Sequence, residues 1–196
     1  DDTLVIITSD HGEHFGERGH YTHILSLYNE LIWVPLIMRF PRRLARPGLD
    51  RRLASLTDLY ATILDLVDSP LPRPETSFSL LDPPRRELAL AQCVYPEMWQ
   101  TYLASKQKLS QSQGETFSPP VFAVVTDGGL KIIEKRDGGL EVYDLKEGMV
   151  ETRDLAPTLS PEVLANYRRL LTHLKTETGF QEAAAAMQVP ADQRAA

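Results

Sequence analysis

The sequence predicts an α/β protein: a layered sandwich followed by a small antiparallel sheet with a helix packed on it. Three observations carry this. Two short apolar runs, Leu4 to Ile7 and Val34 to Phe40, alternate with segments of helical spacing. Two Asp-Gly-Gly turns, at 127–129 and 137–139, separate short runs of strand-forming residues. Ser160-Pro161-Glu162 opens a long amphipathic stretch as N-cap, first helical position and acidic first turn.

Taken in order, Leu4-Val5-Ile6-Ile7 is a continuous apolar run, the pattern of a strand buried on both faces in a parallel sheet covered by helices. Residues 12 to 23 read as a polar, glycine-punctuated loop. Leu25, Leu27, Tyr28, Leu31 and Ile32 suggest a short helix, and the run to Phe40 a second strand closed by Pro41. Pro35 at its start suits a strand beginning or an edge. Leu56, Leu59, Tyr60, Ile63, Leu64 and Val67 recur at helical spacing and predict an amphipathic helix with Thr57 as N-cap, ended by Pro70, Pro72 and Pro74.

From residue 87 the character changes. Glu87 to Val94 reads as another strand, and residues 95 to 120 as a long polar loop with a short helix. Phe122 to Thr126, Leu130 to Glu134 and Leu140 to Leu145 form an antiparallel meander. In the helix from Ser160, Val163, Leu164, Tyr167, Leu170, Leu171 and Leu174 are the buried stripe, and the tail after Gly179 is frayed or weakly helical. The expected division is therefore 1–86 for the α/β part, 87–180 for the sheet and helix, and 181–196 for the tail.

Composition narrows the function classes. The 196 residues are 42% hydrophobic and 24% charged, enough for one core and a small satellite. A net charge of -6 leaves no basic stripe for nucleic acid, and no apolar run is long enough to span a membrane. The single cysteine, Cys93, excludes an intrachain disulfide framework and a cysteine-rich zinc site. Oligomeric state and localisation stay open. The chain starts Asp1-Asp2-Thr3 and enters a strand at once, so it reads as the C-terminal portion of a longer protein.

The chemistry concentrates at one strand end. Of five histidines, His11, His14, His20 and His23 fall within thirteen residues, beside Asp10, Glu13 and Glu17. In open α/β sheets ligands sit beyond the carboxyl ends of the strands. Asp10 and His11 can give an anionic oxygen and an imidazole nitrogen to a divalent cation, and Gly12 lets the backbone turn away. Two donors alone do not fill a metal shell, and a polar loop after a strand carries such residues for other reasons too.

The run Thr3 to Glu13, then Phe15-Gly16-Glu17, Gly19, His23, Ser26-Leu27-Tyr28-Asn29-Glu30 and Val34-Pro35-Leu36-Ile37, resembles the C-terminal half of the sulfatase family in the alkaline phosphatase superfamily. Ser55 to Asp65 resembles the helix that follows in these enzymes. Leu130 to Ile133, Leu140 to Leu145 and Glu151 to Leu155 resemble their small C-terminal sheet. The resemblance implies an alkaline-phosphatase-like sandwich, present here in part, and hydrolysis of sulfate esters by the full-length protein. It implies Asp10 and His11 as metal ligands and His23 as the catalytic group at the sulfate or the leaving oxygen. It further implies a divalent metal, Ca²⁺ by family usage, with Mn²⁺ or Zn²⁺ favoured somewhat by the imidazole donor. The substrate would be a small-molecule or carbohydrate sulfate ester, and family members are often periplasmic or secreted.

The sequence also departs from the family. A formylglycine nucleophile is made in a C/S-x-P-x-R motif, which these residues lack. Cys93 precedes Val94-Tyr95-Pro96 with the wrong proline spacing and no arginine, and reads as a structural thiol. Arg18 stands where a histidine is common. His20 reads as an exposed loop residue, His14 and Glu13 as supporting or solvated groups, His173 as a surface residue near a helix end, and Tyr143 as sheet packing. Trp33 and Trp99 are core or pocket aromatics. The doublets Arg42-Arg43, Arg51-Arg52 and Arg85-Arg86 read as solvated charges. Two other readings share the motif: a phosphonate monoester or phosphodiester hydrolase, and a non-catalytic homologue. A scaffold has no physical need for Asp10, His11 and His23 together.

Overall fold

The computed structural model describes residues 2–45, 47–81, 86–94, 120–146 and 148–179. Trp99, Arg85, residues 95–119 of the loop expected at 95–120, and the tail expected at 181–196 lie outside the described residues. The strands are β1 (Val5–Thr8), β2 (His14–Phe15), β3 (Tyr21–Thr22), β4 (Leu36–Arg39), β5 (Leu88–Gln92), β6 (Pro120–Thr126), β7 (Leu130–Lys135) and β8 (Leu140–Asp144). The helices are α1 (Asn29–Ile32), α2 (Asp58–Leu66) and α3 (Pro161–Glu177), with 3₁₀ turns at Glu17–Gly19 and Ala156–Thr158.

The strand expected at Leu4 to Ile7 forms, but its surroundings differ from the expectation. β1 pairs antiparallel with β4, Ile7 opposite Ile37 and Thr8 opposite Leu36, and Ile7 and Ile37 are 56% and 59% exposed. An apolar run fixes strand formation and not the direction of its neighbour. Here the intervening segment folds back through a hairpin and α1, so β4 returns antiparallel.

Residues 12 to 23 are that hairpin rather than a loop. β2 and β3 pair His14 with Thr22 and Phe15 with Tyr21. The turn between them holds Gly16 (φ 125°), Arg18 (φ 51°) and Gly19 (φ 69°) in the left-handed region. Two-residue strands carry too little alternation to be read as strands.

The helix predicted from Leu56 forms as α2, turned to a face that periodicity did not indicate. Leu56, Tyr60, Ile63 and Val67 are exposed, whereas Asp58, Ala61, Thr62, Leu64 and Leu66 are buried. A satisfied polar face decides the orientation. The Asp58 carboxylate accepts N–H bonds from Ser55 (2.9 Å) and Phe78 (3.0 Å) and is clasped by the Arg86 guanidinium. The Thr62 hydroxyl donates to the Asp58 carbonyl (2.7 Å) and accepts from the Leu80 amide (2.9 Å). Residues 77–81 therefore lie against this face; of the predicted stripe Leu64 is buried with it, while Leu56, Tyr60, Ile63 and Val67 stay outward. Thr57 occupies the N-cap position without a side-chain cap, because its own backbone is already helical (φ -62°, ψ -23°). Arg86 is accordingly not a solvated charge: its side chain is largely buried against Asp58.

The predicted meander gains a fourth member, giving a sheet of order β5-β6-β7-β8, antiparallel throughout. Gly129 (φ 81°) and Gly138 (φ 82°) supply the left-handed residue that each Asp-Gly-Gly turn demands. The pleat then sorts side chains by parity. Phe122, Val124, Ile132 and Val142 form one core with Leu171, flanked by Leu164, Tyr167, Leu170 and Leu174 of α3. Ala123, Ile133 and Tyr143 point the other way and pack with Leu27 and Tyr28. Ser160 caps α3 as expected, its hydroxyl accepting the Val163 amide at 3.3 Å. One face of the sheet carries a helix and the other seats the segment between β3 and α1.

Candidate functional site

The turn after β1 is built from its own polar groups. The Ser9 hydroxyl donates to the His11 carbonyl (2.6 Å), and the His11 amide donates to Asp10 Oδ1 (3.1 Å). The Gly12 amide donates to the Leu31 carbonyl of α1 at 2.7 Å. A Cβ on Gly12 would lie 2.0 Å from the Glu30 carbonyl oxygen, so glycine is required by close approach of two backbones.

The imidazole of His11 is held by its own chain. Nδ1 lies 2.8 Å from the Gly12 carbonyl, which can only accept, so in the neutral ring the proton sits on Nδ1 and Nε2 keeps its lone pair. Nε2 is 3.8 Å from Asp10 Oδ2. A backbone carbonyl behind one ring nitrogen is the arrangement that fixes a metal-ligating tautomer. Asp10 and His11 thus offer a carboxylate oxygen and an imidazole nitrogen side by side, 87% and 45% exposed. They suit part of a cation's shell. No group of three or more ligating side chains occurs among the described residues.

His23 follows β3 and closes the arrangement. Its ring stacks on that of His11, centroids 4.6 Å apart and planes 22° apart, and its Nδ1 is 3.1 Å from Glu13 Oε2. The structure therefore brings together all three residues singled out from the sequence, with Glu13 in the supporting place expected of it.

His14 and His20 depart from expectation. His14 is fully buried, and neither ring nitrogen has a hydrogen-bond partner; it is neither solvated nor a support for the site. Burial draws its pKa below 6.5, opposed by Glu30 and Glu17. His20 is half-buried between the rings of His14 (5.3 Å) and Tyr28 (6.3 Å), not an exposed loop residue. The hairpin fold, invisible in the sequence, encloses both. Backbone donation from Phe15 at 2.7 Å holds the Glu17 carboxyl below its usual value.

Beneath the histidines lies a polar cluster that sequence reasoning missed. Lys131 and Glu151 form a fully buried ion pair (2.5 Å). Asn29 gives its amide to Glu151 Oε2 (3.0 Å) and accepts from Lys131 Nζ (2.9 Å). Arg18 reaches Glu30 (3.3 Å), the Glu151 carbonyl (2.5 Å) and the ring of Tyr28 (4.1 Å to its centroid). Desolvation draws the Lys131 ammonium below its ordinary pKa even beside Glu151. Beside this cluster, Tyr28 and Tyr143 both donate to Glu141 Oε2 (2.7 and 2.9 Å), and burial pushes both phenols well above their ordinary range. The sheet packing expected of Tyr143 holds. A lysine between Leu130 and Ile132 in a strand pattern was the one available signal for this cluster. Its partners are 20 and 102 residues away.

Trp33 is 62% exposed rather than core. Cys93 is half-buried and packs at the edge of the Leu27–Tyr28 cluster, consistent with a structural thiol. His173 is exposed on α3, as expected. Arg42 and Arg43 pair at the surface with Asp2 and Asp68, and Arg52 with Asp50.

The fold has known counterparts. A protein of Bacteroides thetaiotaomicron assigned as a sulfatase superposes with a TM-score of 0.61 at 20% identity, over 90% of this chain and 36% of that one. Phosphonate monoester hydrolase of Agrobacterium radiobacter gives 0.60 at 20% identity, over 89% and 35%. A third protein, solved with its substrate D-glucosamine-2-N,6-O-disulfate, gives 0.57 at 21% identity, over 91% and 34%. The mixed α/β fold of this chain is thus shared with part of each of these three structures.

In sequence, residues 1–69 match the sulfatase family model. Arylsulfatase K of Canis lupus familiaris is 38% identical over 79 residues, and that of Homo sapiens 39% over 80 residues. Each match covers 40% of this chain and 14% of the relative, so the matched stretch spans about a seventh of those proteins. The sequence match to the sulfatase family model thus covers residues 1–69, and the likeness in fold extends over 90% of the chain. No helix among the described residues is long and apolar enough to cross a membrane.

Proposed function

We propose that the full-length protein hydrolyses sulfate esters, with Asp10 and His11 ligating a divalent cation and His23 serving the leaving oxygen. The observation that supports this most directly is the stacking of His23 on His11 beside Asp10, at the end of the strand that the family match covers. A bound cation would neutralise ester oxygens and favour the nucleophile. Ca²⁺ is the family's usual ion, and the imidazole donor also suits Mn²⁺ or Zn²⁺. A formylglycine nucleophile belongs to the same proposal, although residues 1–196 contain no C/S-x-P-x-R motif.

The chain's own residues divide the remaining work. Glu13 Oε2 holds Nδ1 of His23 and orients the ring, leaving Nε2 to serve the departing oxygen. The Gly12 carbonyl keeps His11 in the tautomer that presents Nε2 beside Asp10. The openness of all three side chains suits an anionic ester approaching from solvent. A small aryl sulfate or a sulfated sugar is the substrate class proposed.

The test uses the full-length protein and 4-nitrophenyl sulfate. Asp10→Ala is expected to lower metal-dependent hydrolysis at least about 10²-fold, the scale of losing one electrostatic group at a reacting centre. Undiminished activity removes Asp10 from the site. Faster turnover of an aryl phosphonate than of the sulfate would transfer the proposal to phosphoryl chemistry.

A further inference from the structure

Lys131 and Glu151 take no part in the chemistry proposed above, yet both side chains are fully buried, which is unfavourable unless their partners compensate. Those partners all lead toward the histidines. Glu151 Oε1 accepts from Lys131 Nζ, and Oε2 accepts from the Asn29 amide (3.0 Å) and from Arg18 (3.4 Å). Lys131 Nζ also donates to Asn29 Oδ1, and Asn29 Nδ2 donates to the Met149 carbonyl at 2.8 Å. The C-terminal sheet and the segment after it thus grip the first residue of α1 at both its backbone and its side chain.

From Glu151 two branches run outward. Asn29 opens α1, whose Leu31 carbonyl receives the Gly12 amide, and Gly12 directly follows His11. Arg18 forms the turn of the β2–β3 hairpin, and β3 ends at Thr22, one residue before His23. The branches meet again where the two rings stack. Each branch consists of a few hydrogen bonds and rigid backbone, so a displacement at Glu151 has little room to dissipate.

We propose that Glu151, seated by Lys131, is a positioning residue that sets the placement of His11 relative to His23. The proposal deepens the sulfatase reading and rests on it for the word site. The inward-pointing carboxylate serves geometry: it fixes two separate segments to one point of a rigid sheet. Neither residue touches substrate.

The experiment is to prepare Glu151→Gln and the paired Lys131→Leu/Glu151→Leu, with Leu171→Ala as a control that perturbs the opposite face of the sheet. The paired variant removes both buried charges and keeps apolar volume, so it carries the test if Glu151→Gln does not fold. In the full-length protein, the Gly12 amide resonance and the ring ¹³C–¹H resonances of His11 and His23 are expected to move in the Glu151 variants and stay in place in Leu171→Ala. For 4-nitrophenyl sulfate, kcat is expected to fall at least about tenfold with KM changed less than about threefold, as when only transition-state placement is lost. A folded Glu151 variant with all three resonances at their original positions overturns the proposal. Absence of sulfate ester hydrolysis by the unsubstituted protein overturns the functional reading instead, and the resonances then still decide the positioning role.

Discussion

Gly12→Ala isolates the contact between the turn after β1 and α1. The Gly12 φ lies outside the left-handed region, so alanine meets no backbone strain there. Elsewhere in such a conformation the substitution stabilises by about 0.4–1 kcal/mol, through a less flexible unfolded chain. Here the added Cβ would lie 2.0 Å from the Glu30 carbonyl oxygen, 3.1 Å from its carbon and 3.4 Å from Leu31 Cα. All three are backbone atoms and cannot rotate aside. Relief requires the turn and α1 to part by more than an ångström, which breaks the 2.7 Å bond from Gly12 to Leu31. Overpacking costs about 1–3 kcal/mol and the lost hydrogen bond about 1 kcal/mol, giving a net destabilisation of roughly 2–3 kcal/mol after the entropic gain. For a chain of this length that lowers the melting temperature by about 4–12 °C. Thermal unfolding followed by circular dichroism measures it. A variant that melts at or above the unsubstituted protein would refute the close approach.

Two further outcomes follow from buried polar groups. His14, with its pKa drawn below 6.5 by burial against the pull of Glu30, Glu17 and Glu13, is protonated first in the unfolded chain; its contribution is therefore complete above pH 6.5 and declines as the pH falls toward its folded value. His14→Phe should flatten the fall in urea midpoint between pH 7.5 and 5, and an unchanged fall would acquit His14. For Asp58, burial raises the carboxyl, but the bonds from Arg86, Phe78 and Ser55 hold it below 3.8, so its stabilisation is present above pH 3.8 and lost below it. Arg86→Ala strands that carboxylate and should cost about 3–5 kcal/mol by urea denaturation, and a loss under about 1 kcal/mol would contradict the burial of the pair.

How much of this was legible in the sequence depended on the range of the interactions. The meander and α3 were legible because Asp-Gly-Gly turns and a Ser-Pro-Glu start are local instructions. The closeness of Asp10, His11 and His23 is also local in origin, since a strand end and fourteen residues of chain hold them. The burial of His14 was not legible, because two-residue strands leave no alternation to read. The face of α2 was misread for a different reason: its apolar stripe was real, but Asp58 and Thr62 had better partners at 77–86 than any stripe could reveal. The seating of α1 on the sheet was least legible, since it depends on pairings 102 and 122 residues apart.

The alternation of β7 gives its register a second meaning. Ile132 faces α3, whereas Lys131 and Ile133 face the segment that leads to the histidines. A slip of one residue would bring Lys131 against the helix and Ile132 against Asn29, so the helix core and the grip on α1 would fail together. Gly129 and Gly138, which hold that register from the two hairpin turns, lie in a part of the chain with no catalytic chemistry. They nevertheless act as alignment marks for the proposed site, and under the positioning proposal an insertion at either turn would be felt first in the spacing of two imidazoles.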